Sequence, residues 1–448
     1  MKRKPERKSG PGQEREDRTK KAESNRFQTG FRSVLLRAEK PAYGGSVIAR
    51  HDNRVIFVEG ALPGELVAAR ITEKKKDYAK AETVTVVEPS PDREEPVCPH
   101  FGECGGCQLQ HIRYERQISL KEDVLLDTLR RLGKLSCTLS EPIADESPWA
   151  YRHRAQFKTD GSRTGFYRKS SRSVVDVGHC PVVCAGINTA YAAMRTLSSV
   201  SAYAEFFAKL NGITLISNNA KTAALFPARP GVLPDAELLQ QILQKTGISG
   251  CIVLSARGVV ASAGDSGVDF LLGGLVYHAA VDSFFQGHWR LNERVVASAC
   301  EALSLHSGMR VLDLYAGAGN FSLPLAAHAQ EVVAVEAHPR SIAHGRMNCE
   351  RNQISNVRFV EMRAEHYEPE GRFHAVLLDP PRPGLSTRVV DTVLRCAPER
   401  IVYVSCNPAT LARDLRKLCG GYDLVSLRLI DFFPHTFHIE SMAVLRKG

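Results

Sequence analysis

The C-terminal part of the chain alternates short apolar runs with intervals of helix length. Within residues 276–448 the apolar runs are Val311–Leu314, Val332–Glu336, Val357–Val360, Ala375–Asp379 and Ile401–Ser405. Strands that alternate with helices form a parallel sheet covered on both faces, and such a sheet binds its ligand at the carboxyl ends of the strands. The sequence therefore predicts a doubly wound α/β domain over residues 276–448.

Two glycines follow the first of these strands, in the run Asp313–Asn320. Gly317 and Gly319 allow the backbone to pass close to a ligand, because neither residue carries a Cβ atom. A helix is predicted directly after the turn, from Phe321 to about Ala329. The order of strand, glycine turn and helix predicts a cofactor site.

The residues around this turn favour S-adenosyl-L-methionine (SAM) over NAD. A dinucleotide site has a third glycine, whereas this chain has Ser322 at that position. Glu336 ends the following strand, where a carboxylate can accept both hydroxyls of a ribose. Because Asp313 and Asp379 lie at the ends of two further strands, the pattern resembles the class I SAM methyltransferases.

A candidate nucleophile, Cys406, follows the strand Ile401–Ser405 and precedes a helix predicted over residues 410–419. A lone cysteine is usually a small buried apolar residue. This one, however, lies at the ends of strands that carry ligands, and Glu440 supplies a carboxylate. Since the start of a helix stabilises a thiolate, we expect an activated nucleophile.

Methylation of a pyrimidine carbon requires both a thiolate and a base. Carbon 5 is a poor nucleophile until a thiolate adds to carbon 6, and a base must then remove the carbon-5 proton. Cys406 and Glu440 fit these two roles. Methylation of an exocyclic amine needs no such nucleophile, and its usual motif has an aromatic residue where this chain has Arg382.

A glycine-rich segment holds three closely spaced cysteines, Cys98, Cys104 and Cys107. The spacing predicts a metal site with Cys180 as a fourth ligand, although Cys184 or His179 could replace Cys180. Thiolates suit an iron–sulfur cluster and structural zinc equally well, so the spacing leaves the identity of the metal open.

The charge of the chain indicates an anionic partner. The formal net charge is +10, and residues 1–30 contain ten Lys and Arg against five Asp and Glu, which predicts a disordered basic arm. Lys and Arg displace counterions from phosphates, so nucleic acid is favoured over a merely solubilising tail. Twelve cysteines, with no export signal and no bilayer-length apolar stretch, predict a cytoplasmic protein without a membrane partner, by default a monomer.

Two further domains are predicted before the α/β domain. Residues 31–92 contain five short apolar runs between turns, which predicts a small β-barrel with Lys74–Lys76 on a loop. A basic loop on such a barrel suits single-stranded nucleic acid, with a purely structural barrel as the alternative. Residues 93–275 predict an α+β domain that holds the cysteines. Cations there interleave with aromatic residues, a pattern that suits splayed-out bases. The cations are Arg152, Arg154, Lys158, Arg163, Arg168, Lys169 and Arg172, and the aromatic residues are Tyr151, Phe157, Phe166 and Tyr167.

Taken in this order, the motifs resemble those of the RNA uracil-5-methyltransferases that carry an iron–sulfur cluster. Residues 31–90 are similar to the TRAM RNA-binding domain, an OB-like barrel, and the resemblance extends to residue 448. It implies SAM as cofactor, RNA as partner, Cys406 as nucleophile and Glu440 as general base. It implies that a [4Fe–4S] cluster is held by Cys98, Cys104, Cys107 and Cys180. The SAM site it implies comprises Gln286, Tyr315, Asn320, Glu336 and Asp379, beside Asp313, Gly317 and Gly319.

The chain departs from the family pattern at two motif positions, and its long basic N-terminal arm is extra. Gly287-His288 replaces the usual Val-Asn after Phe284-Phe285-Gln286. Arg363-Ala364-Glu365 stands where an acidic or amide residue contacts the adenine side of SAM. Neither change touches the nucleophile or the base, so we expect any effect to fall on SAM affinity.

Two other functions explain part of the sequence. An RNA-binding redox sensor would account for the basic arm, the barrel and the cysteines, but not for Cys406, Asp379 and Glu440 at motif positions. An RNA cytosine-5-methyltransferase would use the same addition chemistry, but its nucleophile usually follows Thr or Pro rather than Ser405. The cysteine cluster favours 23S ribosomal RNA as substrate, with transfer RNA as the alternative.

Overall fold

The computed structural model describes residues 33–448, so the basic arm predicted over residues 1–30 lies outside the described residues. The chain divides into two compact units, Met1–Arg93 and Glu94–Gly448. The four-part domain division made from the sequence stays a prediction.

The first unit is a small β-barrel. Its strands are β1 (Ser33–Arg37), β2 (Lys40–Pro41), β3 (Ser46–His51), β4 (Arg54–Glu59), β5 (Leu66–Lys74) and β6 (Tyr78–Glu88), in the order β1-β5-β6-β4-β3-β2. The two edge strands are β1, which pairs with β5, and β2, which pairs with β3. The sheet closes into a barrel because these two edge strands are consecutive in the chain. Between them, the Ala38 N–H donates to Glu65 O (2.9 Å) and the Glu39 N–H donates to Ile48 O (2.7 Å).

The predicted basic loop joins β5 to β6, but part of its charge is neutralised. Glu73 forms ion pairs with Lys75 (2.6 Å) and Lys80 (2.8 Å). At the end of the barrel, the buried Glu65 carboxylate accepts hydrogen bonds from the Leu62 N–H (2.8 Å) and the Arg93 Nε–H (2.7 Å). Glu65 therefore fixes the chain where it leaves the barrel.

The first part of the second unit combines helices with a mixed sheet. Its helices are α1 (Tyr114–Thr128), α2 (Ala185–Ser198), α3 (Ser201–Ala208) and α4 (Ala236–Thr246). Its strands are β7 (Arg154–Thr159), β8 (Thr164–Tyr167), β9 (Val174–Asp176), β10 (Gly212–Ser217), β11 (Thr222–Pro227), β12 (Gly250–Ser255) and β13 (Gly258–Gly264), in the order β13-β12-β11-β10-β7-β8-β9. A hairpin of β14 (Gly267–Leu272) and β15 (Leu275–Ala280) follows. Helices α2 and α3 are separate because the backbone of Val200, directly before α3, is extended.

The second part is the predicted doubly wound domain, and its fold class is confirmed. The helices are α5 (Trp289–Leu303), α6 (Ser322–Ala326), α7 (Pro339–Arg351), α8 (Thr387–Cys396) and α9 (Pro408–Leu418). The strands are β16 (Arg310–Leu314), β17 (Glu331–Glu336), β18 (Val357–Glu361), β19 (Ala375–Leu378), β20 (Arg400–Ser405), β21 (Tyr422–Ile430) and β22 (Glu440–Lys447). They are ordered β18-β17-β16-β19-β20-β22-β21.

Strands β16 to β20 are parallel to one another, and β22 is inserted antiparallel between β20 and β21. Apolar cores cover both faces of the sheet. The five predicted strands are confirmed within one residue at either end, whereas β21 and β22 were not predicted. Helix α6 ends at Ala326 rather than near Ala329, because the chain continues in tighter i→i+3 bonds such as His328 N–H to Leu325 O (3.0 Å). Within residues 33–448, no helix is both long and apolar enough to cross a membrane.

Candidate active site

The turn between β16 and α6 is shaped for close approach by a ligand. Tyr315, Gly317 and Gly319 all have positive φ angles, of 67°, 56° and 84°. The Tyr315 and Ala316 N–H groups both donate to Val335 O, at 3.0 and 3.1 Å, which ties the turn to β17. A Cβ atom at Gly319 would collide with the Leu323 side chain, so glycine is required there on steric grounds as well.

Glu336, at the end of β17, closes this turn. Its carboxylate accepts hydrogen bonds from the Gly317 N–H (2.9 Å) and the His338 N–H (2.7 Å). A carboxylate offers about four acceptor positions, so two backbone donors leave capacity for ligand hydroxyls. The geometry is therefore compatible with the predicted contact to a ribose.

Two carboxyl groups lie beside the turn, at the ends of β16 and β19. Asp313 is fully buried, and Asp379 is half-buried. The Asp313 Oδ2 atom accepts from the Ser322 hydroxyl (2.5 Å), whereas Oδ1 has no hydrogen-bond partner among the described residues. Burial, helped by the charges of Asp379 and Glu336, raises the pKa of Asp313 to about 7. Burial also raises the pKa of Asp379 to about 7. Buried carboxyls that lack a counterion suit a ligand that brings a positive charge.

Two predicted SAM contacts come from different environments. The Asn320 amide exchanges two hydrogen bonds with the fully buried Asn292 of α5, at 2.7 and 3.0 Å, so this amide is engaged within the protein. Gln286 is half-buried in the segment that leads to α5, beside Phe284, which is 71% exposed. Asn292 was missed by sequence reasoning, since no local pattern identifies an amide partner on another helix.

The departure at Gly287-His288 has a structural explanation. The His288 ring is buried, stacks on Tyr151 (4.7 Å between centroids), and accepts from the Leu291 N–H (3.4 Å) at the start of α5. Burial lowers the pKa of His288 to about 4. His288 is therefore a neutral residue that caps a helix and packs on a neighbouring ring.

The second departure lies against the glycine turn. Glu365 belongs to a short helix, Ala364–His366, and its charge acts on the hydroxyl of Tyr315. Burial, the larger cause, and this carboxylate together raise the pKa of Tyr315. An acidic residue is thus present beside a predicted SAM contact.

The predicted nucleophile and base lie on adjacent strands. Cys406 directly follows β20 and Glu440 begins β22, and the register pairs Ser405 with Ser441. Cys406 and Glu440 are therefore the next facing pair. The structure brings these residues together at the carboxyl end of the parallel strands, where Asp379 also lies.

The expectation of a stabilised thiolate is wrong for the ligand-free protein. Burial first, then the charges of Glu440 and Asp379, raise the pKa of Cys406 to about 11, against the opposing effect of Arg382. The start of α9 offers the Cys406 sulfur fewer free N–H groups than expected, because the Ala409 N–H already donates to the Asn407 side chain (3.0 Å). Unpaired carboxylates and burial outweigh the helix.

Glu440 is buried in the same acidic surroundings. Burial, followed by the charges of Asp379 and Asp431, raises its pKa to about 8, while Arg382 lowers it. Arg382 is exposed, and its carbonyl accepts from the Asn407 amide (3.2 Å) and the Thr410 hydroxyl (3.4 Å). Both reacting groups thus lie near one exposed cation.

A buried ion pair beside the base was missed by sequence reasoning. Lys121 of α1 donates to the Asp431 carboxylate (2.5 Å), which also accepts from the Tyr114 hydroxyl (2.9 Å). Both charged side chains are almost fully buried. The partners are 310 positions apart in the sequence, so no spacing motif could have indicated the pair.

The four predicted metal-ligating cysteines line one cavity. They are Cys98, Cys104, Cys107 and Cys180. Burial raises the pKa of Cys107 to about 12 and that of Cys180 to about 11. The alternative Cys184 is buried elsewhere, with its sulfur 4.0 Å from Ser217 O, and His179 does not line the cavity. Across residues 33–448, no three His, Cys, Asp or Glu side chains converge closely enough to hold a metal ion.

The predicted patch of interleaved cations and aromatic residues is wrong in part. Tyr151 and Phe157 are buried in the core around β7, so neither ring can stack on a base. The Arg154 guanidinium donates to Val281 O (3.2 Å) and Ser283 O (2.6 Å). Tyr167 remains substantially exposed. Alternation along a strand places every second residue in the core, which the interpretation did not take into account.

Two known families match parts of the chain. The tRNA (Uracil-5-)-methyltransferase family matches residues 273–370 and 369–448, and the TRAM domain matches residues 32–84. The 23S rRNA (uracil(1939)-C(5))-methyltransferase RlmD of Aeromonas hydrophila is 38% identical over 416 residues, covering 89% of this chain and 93% of that protein. The protein of the same description from Shewanella amazonensis is 34% identical over 446 residues, covering 95% and 98%.

A solved structure shares the fold over most of the chain. The crystal structure of Pyrococcus abyssi tRNA (uracil-54, C5)-methyltransferase in complex with S-adenosyl-L-homocysteine superimposes with a TM-score of 0.75. It covers 92% of this chain and 100% of that chain at 24% sequence identity. At this identity the likeness shows the fold.

Proposed function

The chain belongs to the family of SAM-dependent RNA uracil-5-methyltransferases, and from this premise we propose that it methylates carbon 5 of a uridine in 23S ribosomal RNA through a covalent cysteine adduct. The observation that carries the covalent mechanism is the proximity of Cys406, directly after β20, to Glu440, at the start of β22, whose charge acts on the thiol. The names of the relatives support the ribosomal substrate. We further propose a cytoplasmic location, where such an RNA is found.

The proposed reaction proceeds in two stages. The Cys406 thiol loses its proton to solvent, and its sulfur forms a bond to carbon 6 of a uridine extruded from the RNA. The electrons displaced from the ring double bond attack the methyl group of SAM, and S-adenosyl-L-homocysteine leaves. Glu440 then takes the carbon-5 proton, the ring double bond re-forms, and the bond between carbon 6 and sulfur breaks.

For the cofactor, we propose that the glycine turn and Glu336 hold the adenosine part of SAM. The sulfonium would lie near the buried carboxyls of Asp313 and Asp379, whose burial favours a cationic ligand. Tyr315 and Gln286 are proposed to contact SAM or the target base. Asn320 would act mainly through Asn292, because its amide is already paired.

We propose that the four cysteines hold a [4Fe–4S] cluster, with structural zinc as the alternative. The residues fit such a group chemically, because four thiols line one cavity and Gly105 permits a close backbone passage, its N–H donating to Tyr167 O (2.9 Å). When bound, the cluster would supply rigid cross-linking of the ligand-bearing loops. No step of the methyl transfer depends on it.

Nucleoside mass spectrometry tests the reaction and the substrate together. Anaerobically purified protein is incubated with SAM and unmodified ribosomal or transfer RNA, and each RNA is then digested. We expect 5-methyluridine in the ribosomal sample. Appearance only in transfer RNA would overturn the substrate, and 5-methylcytidine would establish the cytosine alternative. RNA binding without methylation would favour the redox-sensor alternative.

Two substitutions test the roles of the facing pair. Cys406→Ala should abolish turnover while leaving the SAM dissociation constant nearly unchanged, since the thiol does not bind the cofactor. Glu440→Gln should methylate once and then accumulate a covalent protein–RNA complex, visible as a slow band on a denaturing gel. Loss of SAM binding in the first variant, or a complex formed by the wild type and not by the second, would contradict these assignments.

A further inference from the structure

The segment between β21 and β22 connects the proposed base to the cysteine-rich loop. It runs through residues 431–439 and ends at Glu440. Thr436 in this segment lines the cavity of the four cysteines. On the other side, residues 108–121 begin directly after Cys107 and lead into α1. Hydrogen bonds join these two stretches.

His435, at the centre of the segment, forms hydrogen bonds with residues 108–109 on one side and with Gln117 on the other. Its carbonyl accepts from the Gln108 and Leu109 N–H groups, both at 2.9 Å. Its N–H donates to the Gln117 Oε1 atom (2.9 Å), and its Nδ1 atom lies 3.1 Å from the Gln117 Nε2 atom. Gln117 is 0% exposed and His435 is 1% exposed. We call this set of hydrogen bonds the His435 clamp.

The backbone at His435 needs such support. Its φ angle is 65°, in a region that L-residues adopt only when the surroundings enforce it. The ring stacks on Trp149 at 3.9 Å between centroids. Gln117 satisfies both the backbone N–H and the ring nitrogen of His435, so one buried side chain fixes both the turn and the ring.

Two further contacts anchor the ends of the segment. Lys121 donates to the Phe433 carbonyl (3.0 Å), in addition to its ion pair with Asp431. The Gln108 amide donates to Gly105 O (2.8 Å) and accepts from the Phe437 N–H (3.5 Å). Gln108 thus joins the cysteine loop to the residues just before Glu440.

We propose that Gln117, supported by Gln108, is a positioning residue for proton abstraction, holding the His435 turn so that Glu440 stays aligned with the target base. The proposal rests on the proposed function, in which Glu440 is the general base. Under this proposal, hydrogen bonds through the His435 turn connect the position of the cysteine loop to that of Glu440. If Gln117 had only a structural role, its substitution would lower stability without slowing one chemical step more than the others.

The first test compares Gln117→Leu with Thr128→Val. Both change a buried side chain of α1, but the Thr128 hydroxyl donates only to Val124 O of its own helix (2.7 Å). We expect Gln117→Leu to lower kcat by about 10- to 100-fold, because small misplacements of a reacting group have effects of that size. It should accumulate methylated covalent protein–RNA complex, while SAM affinity changes less than about twofold. Thr128→Val should accumulate none.

A second variant and a second readout make the test independent of folding and of activity. Gln108→Leu changes a half-buried side chain and should also accumulate the complex. Hydrogen exchange at residues 431–439 should be faster in both glutamine variants than in Thr128→Val. Unchanged hydrogen exchange at residues 431–439 would overturn the clamp. The absence of the covalent complex in both glutamine variants, when the wild type is active, would overturn it as well. A wild type that makes neither complex nor 5-methyluridine would instead overturn the proposed function, while exchange would still decide the clamp.

Discussion

Cys406 and Glu440 titrate in different ranges, although they face each other. Burial and neighbouring carboxylates raise the pKa of the thiol to about 11 and that of the carboxyl to about 8. In the proposed mechanism both groups react in their deprotonated forms, so each step should speed up as the pH rises through the pKa of its own group. A bound SAM cation would lower both values, because a nearby positive charge favours the anionic forms.

We therefore predict that the two stages of the reaction have different pH profiles. Release of the covalent complex should level off above about pH 8, whereas its formation should continue to rise with pH. Single-turnover rapid-quench measurements separate the two rates. In Glu440→Gln the release rate should lose its dependence on pH near 8. A release rate that titrates identically in wild type and variant would contradict the assignment of the base.

At the scale of elements, the buried pair of Lys121 and Asp431 fastens α1 to the end of β21. Lys121→Met should lower the free energy of unfolding by about 3–5 kcal/mol, because it leaves a buried carboxylate without a partner. Urea denaturation should show a lower midpoint with an unchanged slope. The double variant Lys121→Met with Asp431→Asn should recover part of the loss. A single-variant effect below about 1 kcal/mol would contradict this role.

The elements of the sheet differ in how well the sequence predicts them. The strands β16 to β20 are buried on both faces, so each reads as a short apolar run, and their predicted bounds agree closely with the structure. The strand β21 has a register shift between Leu424 and Ser426, which disrupts its alternation of apolar and polar residues. The position of β22 follows from topology, which no local pattern encodes.

The residues of the candidate site also differ in how well the sequence predicts them. The predicted Cys406, Glu440 and Asp379 lie at strand ends, and strand ends of one sheet meet in space, so the sequence could place them together. The pairing of Asn292 with Asn320 depends on tertiary packing that periodicity does not reveal. The sign of the shift in the pKa of Cys406 was also missed, because it depends on burial and on carboxylates from other strands.

For the whole molecule, buried ionisable groups limit stability from both sides of neutrality. Burial lowers the pKa values of His288, His435 and His438 to about 4, so stability is lost as the pH falls from about 6.5 towards 4. The pKa values of three carboxyls are raised to about 7 or 8, so stability is lost as the pH rises from their ordinary pKa of about 4 towards those values. These carboxyls are Asp313, Asp379 and Glu440.

We therefore predict that the stability of the protein without SAM changes little between about pH 4 and 6.5, where the two effects oppose each other, and falls between about pH 6.5 and 8. Thermal unfolding should show a falling melting temperature between about pH 6.5 and 8. Added SAM should raise the melting temperature more at the higher pH, because its positive charge favours the ionised carboxyls. Glu440→Gln serves as the control and should flatten the alkaline side. A melting temperature that rises up to pH 8 would contradict the prediction.

The insertion of β22 between β20 and β21 has a consequence for protein synthesis. The ribosome makes β20 with the following Cys406, and then β21, before it makes the strand that separates them. A nascent chain therefore carries Cys406 before it has Glu440, the proposed base. Until β22 is made, the sheet has two unpaired edges where one strand belongs. The strand ends at which Cys406 and Glu440 meet are therefore completed only after β22 has paired with both of its neighbours.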